Sequence, residues 1–367
     1  FLMSNTSARR LEALRQRMSE TGTDLVAIGP SSHMIYVAGL DPHGDERPVM
    51  LLVSKDHAGF LMPALNVDSS RQKTDLPFFP WRDDDGPDAA LAELLTASNL
   101  PDAPSVVIDE TMRADFALLL LDALPGAKRR FTDDTVGHLR ARKDEDEYKR
   151  LKASAVLNDR AAMAGFDALK SGVTELEVAA AIRDVYKAAG AVPVFTSVCF
   201  AGNGAFPHHH TGDTKLKEGD AVLIDTGGRL GGYPSDMTRV GYFGKPDAEF
   251  EKVHAIVERA VTAALNAAKP GATAKAIDKA ARDVITEAGY GDFFPHRTGH
   301  GLGIDIHEPP YMTATSETVL DEGMVFSIEP GIYLTGKFGL RLEEIVIMRA
   351  DGAEILSDLP RTAQLRG

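Results

Sequence analysis

Three features of the sequence predict a two-domain protein of the α/β (α+β) class. Up to about Thr132, short apolar strands alternate with helical segments, as is typical of an α/β domain. A long amphipathic helix is expected at residues 139–169, where one domain gives way to the next. After this helix, a helical segment recurs along the chain, which indicates a second domain built from two related halves. We therefore place the domains at residues 1–138 and 139–367.

The first domain carries helix and strand patterns in alternation. Leu11, Leu14 and Met18 lie at helical spacing. Further helices are expected at 88–97 and 114–124, and strands at 24–29, 48–54, 58–62 and 105–109. The segment 39–48 is rich in glycine, proline and charge, so we expect a surface loop.

The second domain begins with a helix whose start carries a capping pair, Asp144 and Glu147. After it, the segment at 171–190 matches the segment at 270–289, an offset of 99 residues. Two alanine-rich helices can match by chance, but the shared Gly-x-Thr start and Ala-Gly end favour two related halves. The same offset maps His208 onto His307, so we expect the halves to close on a common site.

Composition excludes several classes of function. The formal net charge of −14 is opposite to the basic footprint that nucleic-acid binding requires. The apolar runs are too short to span a bilayer, and the start, FLMSNTSARR, has no signal-peptide pattern. Phe1 and Leu2 are expected to be additions ahead of Met3. Cys199, the single cysteine, cannot form an internal disulfide and is expected to be a small buried side chain. We expect a cytoplasmic protein with neither nucleic acid nor membrane as partner.

Four carboxylates occur in two similar settings. Asp225 ends the apolar run AVLI and Asp236 precedes MTRVGYF, so a strand, a glycine-rich turn and a returning strand are predicted to bring them together. Glu329 follows MVFSI, and Glu343 starts an apolar strand with Arg341 on the same face. Either setting alone is more often structural, as a turn residue or an Arg–Glu surface pair. Buried carboxylates, however, need partners.

A histidine completes this set of side chains. His300 lies in GHGLG, where flanking glycines allow close backbone approach, which suits a ligand held near a cation. One imidazole with four carboxylates suits a pair of Mn²⁺, Co²⁺ or Zn²⁺ ions, and a carboxylate can bridge the two. Such a pair activates water for hydrolysis. No GxSxG motif or P-loop supports a different hydrolase chemistry.

The same residues lie in motifs that resemble a known family. FPHHH, LIDTGG, SDMTR, GHGLGIDIHE, IEPGIY and RLEE are similar to motifs of the metallopeptidases related to Xaa-Pro aminopeptidase (aminopeptidase P) and Xaa-Pro dipeptidase (prolidase). The resemblance covers Lys143 to about Arg361, and the preceding part resembles that family's creatinase-like first domain. It implies a creatinase-like N-terminal domain followed by a pseudo-symmetric pita-bread catalytic domain.

The resemblance also implies a ligand set and an activity. The implied metal ligands are Asp225, Asp236, His300, Glu329 and Glu343. Asp225 would bind one ion, His300 and Glu329 the other, and Asp236 and Glu343 would bridge them. The implied activity is hydrolysis of the Xaa-Pro bond at the N-terminus of dipeptides or short peptides that carry proline in second position, by a homodimeric enzyme.

Further roles follow from the motifs in the same way. His208 and His307 would flank the scissile bond and, with His296, contact the substrate. Glu329 would carry the proton, and Arg341 would orient Glu343. Of the three consecutive histidines only His208 matches the motif, so we expect His209 and His210 at the loop surface.

The choice between dipeptidase and aminopeptidase stays open. Several dipeptidases that resemble this chain place an arginine a few residues after the His-Glu pair, where Tyr311 stands here. The candidates for a cation that pairs with a substrate carboxylate are Arg47, Arg297 and Lys337. The alternative to an enzyme is a catalytically silent family member that acts as a binding or partner protein, although such proteins usually lose ligands and none is lost here.

Overall fold

The computed structural model describes residues 5–367, and the chain divides into two compact units between Arg140 and Ala141. Phe1 and Leu2, which we expect to be additions, lie outside the described residues. Among residues 5–367, none of the helices combines the length and apolar character that a bilayer crossing requires.

The first unit contains a six-stranded mixed sheet. Its strands are β1 (Leu25–Ile28), β2 (Met50–Ser54), β3 (Ala58–Pro63), β4 (Phe78–Trp81), β5 (Ser105–Ile108) and β6 (Lys128–Arg130). They lie in the order β4-β3-β2-β1-β5-β6, with β1 antiparallel to β2 and parallel to β5. The helices of this part of the chain are α1 (Asn5–Thr21), α2 (Ser32–Ala38), α3 (Ala64–Ser70), α4 (Asp88–Ser98), α5 (Ala114–Ala123) and α6 (Val136–Ala141).

The alternation predicted for this unit is confirmed. Strands β1, β2, β3 and β5 and helices α1, α4 and α5 lie where the sequence patterns placed them. The sequence patterns missed β4 and β6, because these are the two edges of the sheet and are partly exposed. An edge strand does not need the continuous apolar run that marks a buried one.

The second unit has four long helices and twelve strands within the described range. The helices are α7 (Glu145–Asp167), α8 (Glu175–Ala188), α9 (Ala248–Ala267) and α10 (Ala274–Glu287). The strands are β7 (Val192–Phe200), β8 (Ala221–Leu230), β9 (Tyr233–Pro234), β10 (Met237–Phe243), β11 (Gly299–Gly301), β12 (Glu308–Met312), β13 (Val325–Ile328), β14 (Gly331–Leu334), β15 (Phe338–Arg341), β16 (Glu344–Arg349), β17 (Gly352–Ile355) and β18 (Gln364–Arg366).

These strands form two sheets and a ribbon. One sheet has the order β18-β10-β8-β7, with β9 paired to β8, and the other has the order β12-β11-β13-β16-β17. Strands β14 and β15 form a separate two-stranded ribbon. The cysteine prediction is confirmed, because Cys199 is buried in the core of this unit.

The internal repeat is confirmed as a structural repeat. Helices α8 and α10 start and end 99 residues apart, and each follows a threonine at its N-cap, Thr174 and Thr273. Past their ends, Gly190 and Gly289 have φ values of 71° and 86°, a left-handed conformation that glycine adopts without strain. Helix α7 packs on α8, and α9 packs on α10. The unit therefore consists of two related halves, each with a helix pair and a sheet.

The long helix expected at residues 139–169 is interrupted, because α6 ends at Ala141 and α7 begins at Glu145, but the predicted capping pair at the start of α7 is confirmed. The Asp144 side chain accepts a hydrogen bond from the Glu147 backbone N–H, and the Glu147 side chain accepts one from the Asp144 N–H. This reciprocal capping satisfies two donors at the helix start, and so it fixes where α7 begins.

Candidate metal centre

The two aspartates of the first half meet because β8 and β10 pair antiparallel. Asp225 lies within β8 opposite Thr238, and Asp236 directly precedes β10. Gly227 permits this pairing, since a Cβ there would lie 2.2 Å from the carbonyl oxygen of Ser235. The predicted strand, turn and returning strand are therefore present.

In the second half the candidate ligands come from three neighbouring strands. His300 is the middle residue of β11, Glu329 follows β13, and Glu343 precedes β16. A Cβ at Gly299 would lie 1.9 Å from the carbonyl oxygen of Ser327. This glycine thus lets β11, which carries His300, approach its neighbouring strand closely.

Side chains of the two halves converge on one cluster. Ligand atoms within 4.8 Å of one another form three groups: Asp225, Asp236 and Glu343; His300, Glu329 and Glu343; and Asp236, His300 and His307. Glu343 belongs to the first two groups and Asp236 to the first and third. The five predicted ligands therefore lie around one small volume of the second unit.

The electrostatics of this cluster favour a bound cation. Asp225 Oδ1 and Glu343 Oε1 are buried without a hydrogen-bond partner. Burial, and then the charge of Asp225, raises the pKa of Asp236 well above its usual range; burial and the charge of Asp236 do the same for the pKa of Glu343. Buried like charges are costly unless a positive charge compensates them. The residues present thus fit divalent metal ions, for which carboxylates and one imidazole are suitable ligands.

His300 is held with one nitrogen available to a metal. Its Nδ1 donates to the carbonyl oxygen of Gly301 at 2.9 Å, so Nε2 faces the cluster. Nε2 lies 3.2 Å from Glu329 Oε1 and 3.6 Å from Asp236 Oδ2. Ser327 links the two sides of this arrangement, because its hydroxyl donates to Glu329 at 2.9 Å and accepts from the His300 backbone N–H.

Arg341 is a buried cation beside the cluster, but its direct carboxylate partner is Asp225. Its Nη2 donates to Asp225 Oδ2 at 2.7 Å, and its Nε donates to the Thr238 hydroxyl at 3.0 Å. The Thr238 hydroxyl in turn donates to Glu343 Oε2 at 2.7 Å. Arg341 therefore reaches Glu343 only through Thr238.

The prediction that Arg341 and Glu343 share one strand face is wrong. Strand β15 ends at Arg341 and β16 begins at Glu344, so Leu342 and Glu343 lie between two strands that belong to different sheets. The chain passes there from one sheet to another, so strand alternation does not relate the two side chains.

His296 is connected to Arg341 by a tyrosine. Its Nδ1 donates to the carbonyl oxygen of Arg297 at 2.7 Å, so its Nε2 accepts from the Tyr333 hydroxyl at 2.7 Å. The Tyr333 oxygen accepts in turn from Arg341 Nη1 at 2.9 Å. These hydrogen bonds fix the ring of His296 beside the candidate ligands.

His307 lies at the exposed side of the cluster. Its ring centroid is 3.8 Å from that of His300. Burial, followed by the charges of His300 and Arg297, lowers the pKa of His307 to about 4, and the charge of His208 acts in the same direction. The buried ion pair of Glu308 with Lys143, at 2.7 Å, holds the backbone beside His307.

The histidine triplet divides differently from the prediction. His208 and His210 are exposed, whereas His209 Nε2 lies 3.0 Å from Oε2 of Glu175, which is fully buried. The expectation that His209 lies at the loop surface is therefore wrong, whereas His210 is exposed as expected. His209 anchors the loop that carries His208.

Sequence reasoning missed three residues that hold the ligands: Thr238, Ser327 and Tyr333. Each lies inside a motif already singled out, SDMTR or SIEPGIY. Strand alternation would have placed Thr238 on the same face as Asp236. The same alternation relates Ser327 to Glu329, to which its hydroxyl donates. Tyr333 carries no such signal, because its partner Arg341 comes from another strand.

Comparisons with known proteins agree with this arrangement. The family described as "Metallopeptidase family M24" matches residues 149–350, and the "Creatinase/Prolidase N-terminal domain" matches residues 10–142. The probable dipeptidase PepE of Mycobacterium tuberculosis is 36% identical over 360 residues, covering 96% of this chain and 95% of that protein. The Xaa-Pro dipeptidase of Pyrococcus furiosus is 33% identical over 354 residues, covering 96% and 98%. The crystal structure of dipeptidase PepE from Mycobacterium ulcerans superposes with a TM-score of 0.92 at 34% identity, covering 98% of both chains.

Proposed function

Because the chain belongs to metallopeptidase family M24, we propose that it hydrolyses the Xaa-Pro bond at the N-terminus of dipeptides or short peptides. The observation that carries this proposal is the convergence of Asp225, Asp236, His300, Glu329 and Glu343, with two buried carboxylate oxygens that lack partners. The substrate class is supported by relatives of nearly full coverage that are named Xaa-Pro dipeptidase.

The proposed cofactor is a pair of divalent ions, Mn²⁺, Co²⁺ or Zn²⁺. Asp225 would hold one ion, His300 and Glu329 the other, and Asp236 and Glu343 would bridge them. The occurrence of Glu343 in two ligand groups supports such sharing. When bound, the ions would polarise the scissile carbonyl and activate water.

The chain's own side chains have defined tasks in this proposal. His307 and His208 would donate hydrogen bonds to the oxygen that becomes negative when the carbonyl is attacked. Glu329, which already accepts a hydrogen bond from Ser327, would take up a proton and pass it to the proline nitrogen. Arg341 would hold Asp225 in place, and His296 would shape the substrate pocket.

The proposal also includes the domain boundaries, the oligomeric state and the location of the protein. Residues 1–138 would form the creatinase-like domain and residues 139–367 the catalytic domain, in a homodimer. A cytoplasmic location rests on the sequence alone. The alternative, a catalytically silent member of the family, has no support from the comparisons, and the side chains needed for metal binding are all present.

The test is hydrolysis of an Xaa-Pro dipeptide and an Xaa-Pro-Yaa tripeptide after metal removal and refilling. Chelation should abolish turnover, and Mn²⁺, Co²⁺ or Zn²⁺ should restore it. Asp236→Ala and Glu343→Ala should lose both bound metal and turnover, whereas Glu322→Ala, at an exposed acid, should keep both. A fully active Asp236→Ala protein without metal would refute the assignment.

A further inference from the structure

We propose that Glu175 is a positioning residue for the reaction, because its carboxylate fixes the loop that carries His208 and so holds His208 beside the scissile bond. We call residues 200–212 the His208 loop. The inference rests on the proposed function, in which His208 stabilises the developing negative charge, and it adds a residue outside the ligand set. It is carried by the hydrogen bonds of Glu175, by its burial and by the place of the loop.

The His208 loop has little regular structure of its own. It leaves β7 at Phe200 and passes through a short 3₁₀ turn at Ala201–Ala205, and residues 206–212 form neither helix nor strand. His208 is exposed. Because no helix or sheet hydrogen bonds fix the backbone on either side of His208, the position of this side chain depends on contacts from outside the loop.

The Glu175 carboxylate binds both ends of this loop. Its Oε1 accepts from the Phe200 N–H at 2.8 Å and from Asn203 Nδ2 at 2.8 Å, near the start of the loop. Its Oε2 accepts from the Gly212 N–H at 2.9 Å and from His209 Nε2 at 3.0 Å, near the end. One fully buried side chain therefore closes the whole loop.

A carboxylate suits this position better than any neutral side chain. It offers about four lone-pair sites and only accepts hydrogen bonds, so each of the four donors finds a partner. Hydrogen bonds to a charged acceptor are also shorter and stronger than neutral ones. Glutamine would keep the shape of Glu175 but replace one oxygen by an NH₂ donor, which would face the donors at one end of the loop. Glu175→Gln therefore releases that end.

Helix α8 supplies a rigid base for the carboxylate. Glu175 is the first residue of α8, whose start is fixed by the capping box of Thr174 and Glu177. The Glu175 N–H also donates to the carbonyl oxygen of Thr214, just past the loop, at 3.1 Å. A group carried by a helix is placed more precisely than one carried by a loop, so α8 can set the position of the loop.

The second half of the unit holds its own histidine segment in a comparable way. Asp278, a buried residue of α10, accepts from the Thr298 N–H at 3.0 Å and from the Thr298 hydroxyl at 2.9 Å. Thr298 lies between His296 and His300 in the sequence. Each of the two repeated helices thus supplies a buried carboxylate that anchors a segment with candidate site histidines.

The His208 loop lies beside the candidate metal centre. Ser197 is opposite Asp225, one of the candidate ligands, in the pairing of β7 with β8. Its hydroxyl donates to the carbonyl oxygen of His209 at 3.4 Å. His208 is also close enough to His307 for its charge to lower the pKa of His307. Release of the loop would therefore move His208 relative to the scissile bond, and a displacement of about 1 Å can cost about 100-fold in rate.

The first test measures hydrolysis of Ala-Pro by the metal-loaded enzyme. Glu175→Gln should lower kcat about 10- to 100-fold and leave KM and metal affinity close to wild type, because His208 acts only as the oxygen becomes negative. His209→Ala removes one of the four donors and should lower kcat about 3- to 10-fold. His209→Gln, whose amide nitrogen replaces Nε2 as the donor, should restore most of this loss. His210→Ala, at the exposed neighbour, should leave kcat unchanged.

A double-mutant cycle separates positioning from a general loss of stability. In a His208→Ala background, Glu175→Gln should lower kcat little further, because the side chain through which it acts is gone. Asp247→Ala, which removes the N-cap of α9 in the other half, should lower the free energy of unfolding but not kcat. Equal losses of kcat from Glu175→Gln in both backgrounds would overturn the inference, as would a wild-type kcat. If Glu175→Gln does not fold, His209→Ala and His209→Gln are used in the same cycle.

A measurement without turnover keeps this inference separate from the proposed function. In the Co²⁺-loaded protein with ¹³C-labelled histidine, the paramagnetic shift of the His208 ring signal depends on its position relative to the ions. This shift should change in Glu175→Gln and His209→Ala but not in Asp247→Ala. An unchanged shift in Glu175→Gln would contradict the inference. If the wild type binds metal but hydrolyses no Xaa-Pro peptide, the proposed function fails instead, and the shift still decides whether Glu175 positions His208.

Discussion

Thr238 shows how a single uncharged side chain can organise a charged cluster. It is fully buried, accepts from Arg341 Nε at 3.0 Å and donates to Glu343 Oε2 at 2.7 Å. A hydroxyl can do both because it carries one donor and two acceptor lone pairs. Thr238 therefore satisfies a guanidinium and a carboxylate at once and sets the orientation of a candidate bridging ligand.

Replacing Thr238 by valine should cost stability and metal affinity together. The change keeps the shape but leaves a buried guanidinium nitrogen and a buried carboxylate oxygen without this partner, at a cost of about 1–3 kcal/mol in the free energy of unfolding. Metal affinity should fall about 10- to 100-fold, as for other residues that orient ligands. Urea unfolding of the metal-free protein and metal titration measure the two effects.

The control for this prediction is Thr238→Ser, which retains the hydroxyl. It should keep metal affinity close to that of the wild type. Equal metal affinity in the valine and serine variants would contradict a role for the hydroxyl.

The candidate ligands could be predicted from the sequence because they lie in motifs that resemble those of a known family. Asp225 precedes a glycine pair, His300 lies between glycines and Asp236 precedes an apolar strand, but only the resemblance implied the complete set. Thr238 and Tyr333 do not stand out, since each acquires its role from its hydrogen bond with Arg341. Arg341 is 103 residues from Thr238 and 8 residues from Tyr333 along the chain. Hydrogen-bond partners from separate strands are decided by tertiary packing, which a single sequence does not display.

Helices α8 and α10 occupy equivalent places in the two halves, yet they are capped differently. The Thr174 hydroxyl accepts from the Glu177 N–H, and the Glu177 side chain accepts from the Thr174 N–H, which is a capping box. Thr273 makes no side-chain capping bond, and Ala276 stands where the second half would need the glutamate. The repeat thus preserves the threonine but only one half uses it as a cap.

Alanine substitution should separate the two threonines. Thr174→Ala should lower the free energy of unfolding by about 0.5–2 kcal/mol, because it removes an N-cap side chain. Thr273→Ala should have almost no effect, since no capping bond is lost. Chemical denaturation of both variants under the same metal conditions checks this difference. Equal losses would mean that the threonines act through something other than capping.

The helices and strands that could be predicted from the sequence are mainly those that are buried. Apolar periodicity predicts the long helices and the buried strands, and the recurring sequence predicts the repeat. The break between β15 and β16 at residues 342–343 was missed, because RLEEIVIM reads as one continuous strand. The chain leaves one strand pair for another there, and no propensity or periodicity marks that change.

The second unit as a whole carries a cluster of buried acids that the chain cannot neutralise with its own side chains. Arg341 and His300 supply two positive partners at most, against four carboxylates. Two carboxylate oxygens have no hydrogen-bond partner. The unit should therefore be less stable without metal than with it, because ions that bind only the folded state stabilise it by mass action.

Glu343→Gln should have opposite effects on the stability of the metal-loaded and the metal-free protein. In the metal-loaded wild type, each ion at 100 times its Kd adds about 2.7 kcal/mol, which raises Tm by about 5–10 °C per ion for a unit of this size. Glu343→Gln should lose most of that gain, because it removes a ligand shared by two groups. In the metal-free state the same change removes one of the crowded buried charges, so its Tm should equal or exceed that of the metal-free wild type.

Calorimetric scans of the chelated and refilled protein measure both effects, with Glu322→Gln as the control that alters an exposed acid. Glu322→Gln should follow the wild type in both states. A Glu343→Gln protein less stable than wild type when both are metal-free would mean that this carboxylate stabilises the fold by itself. The cluster would then be a structural network that needs no ion. Removal of a carboxylate charge increases stability only where the buried charges of a site repel one another.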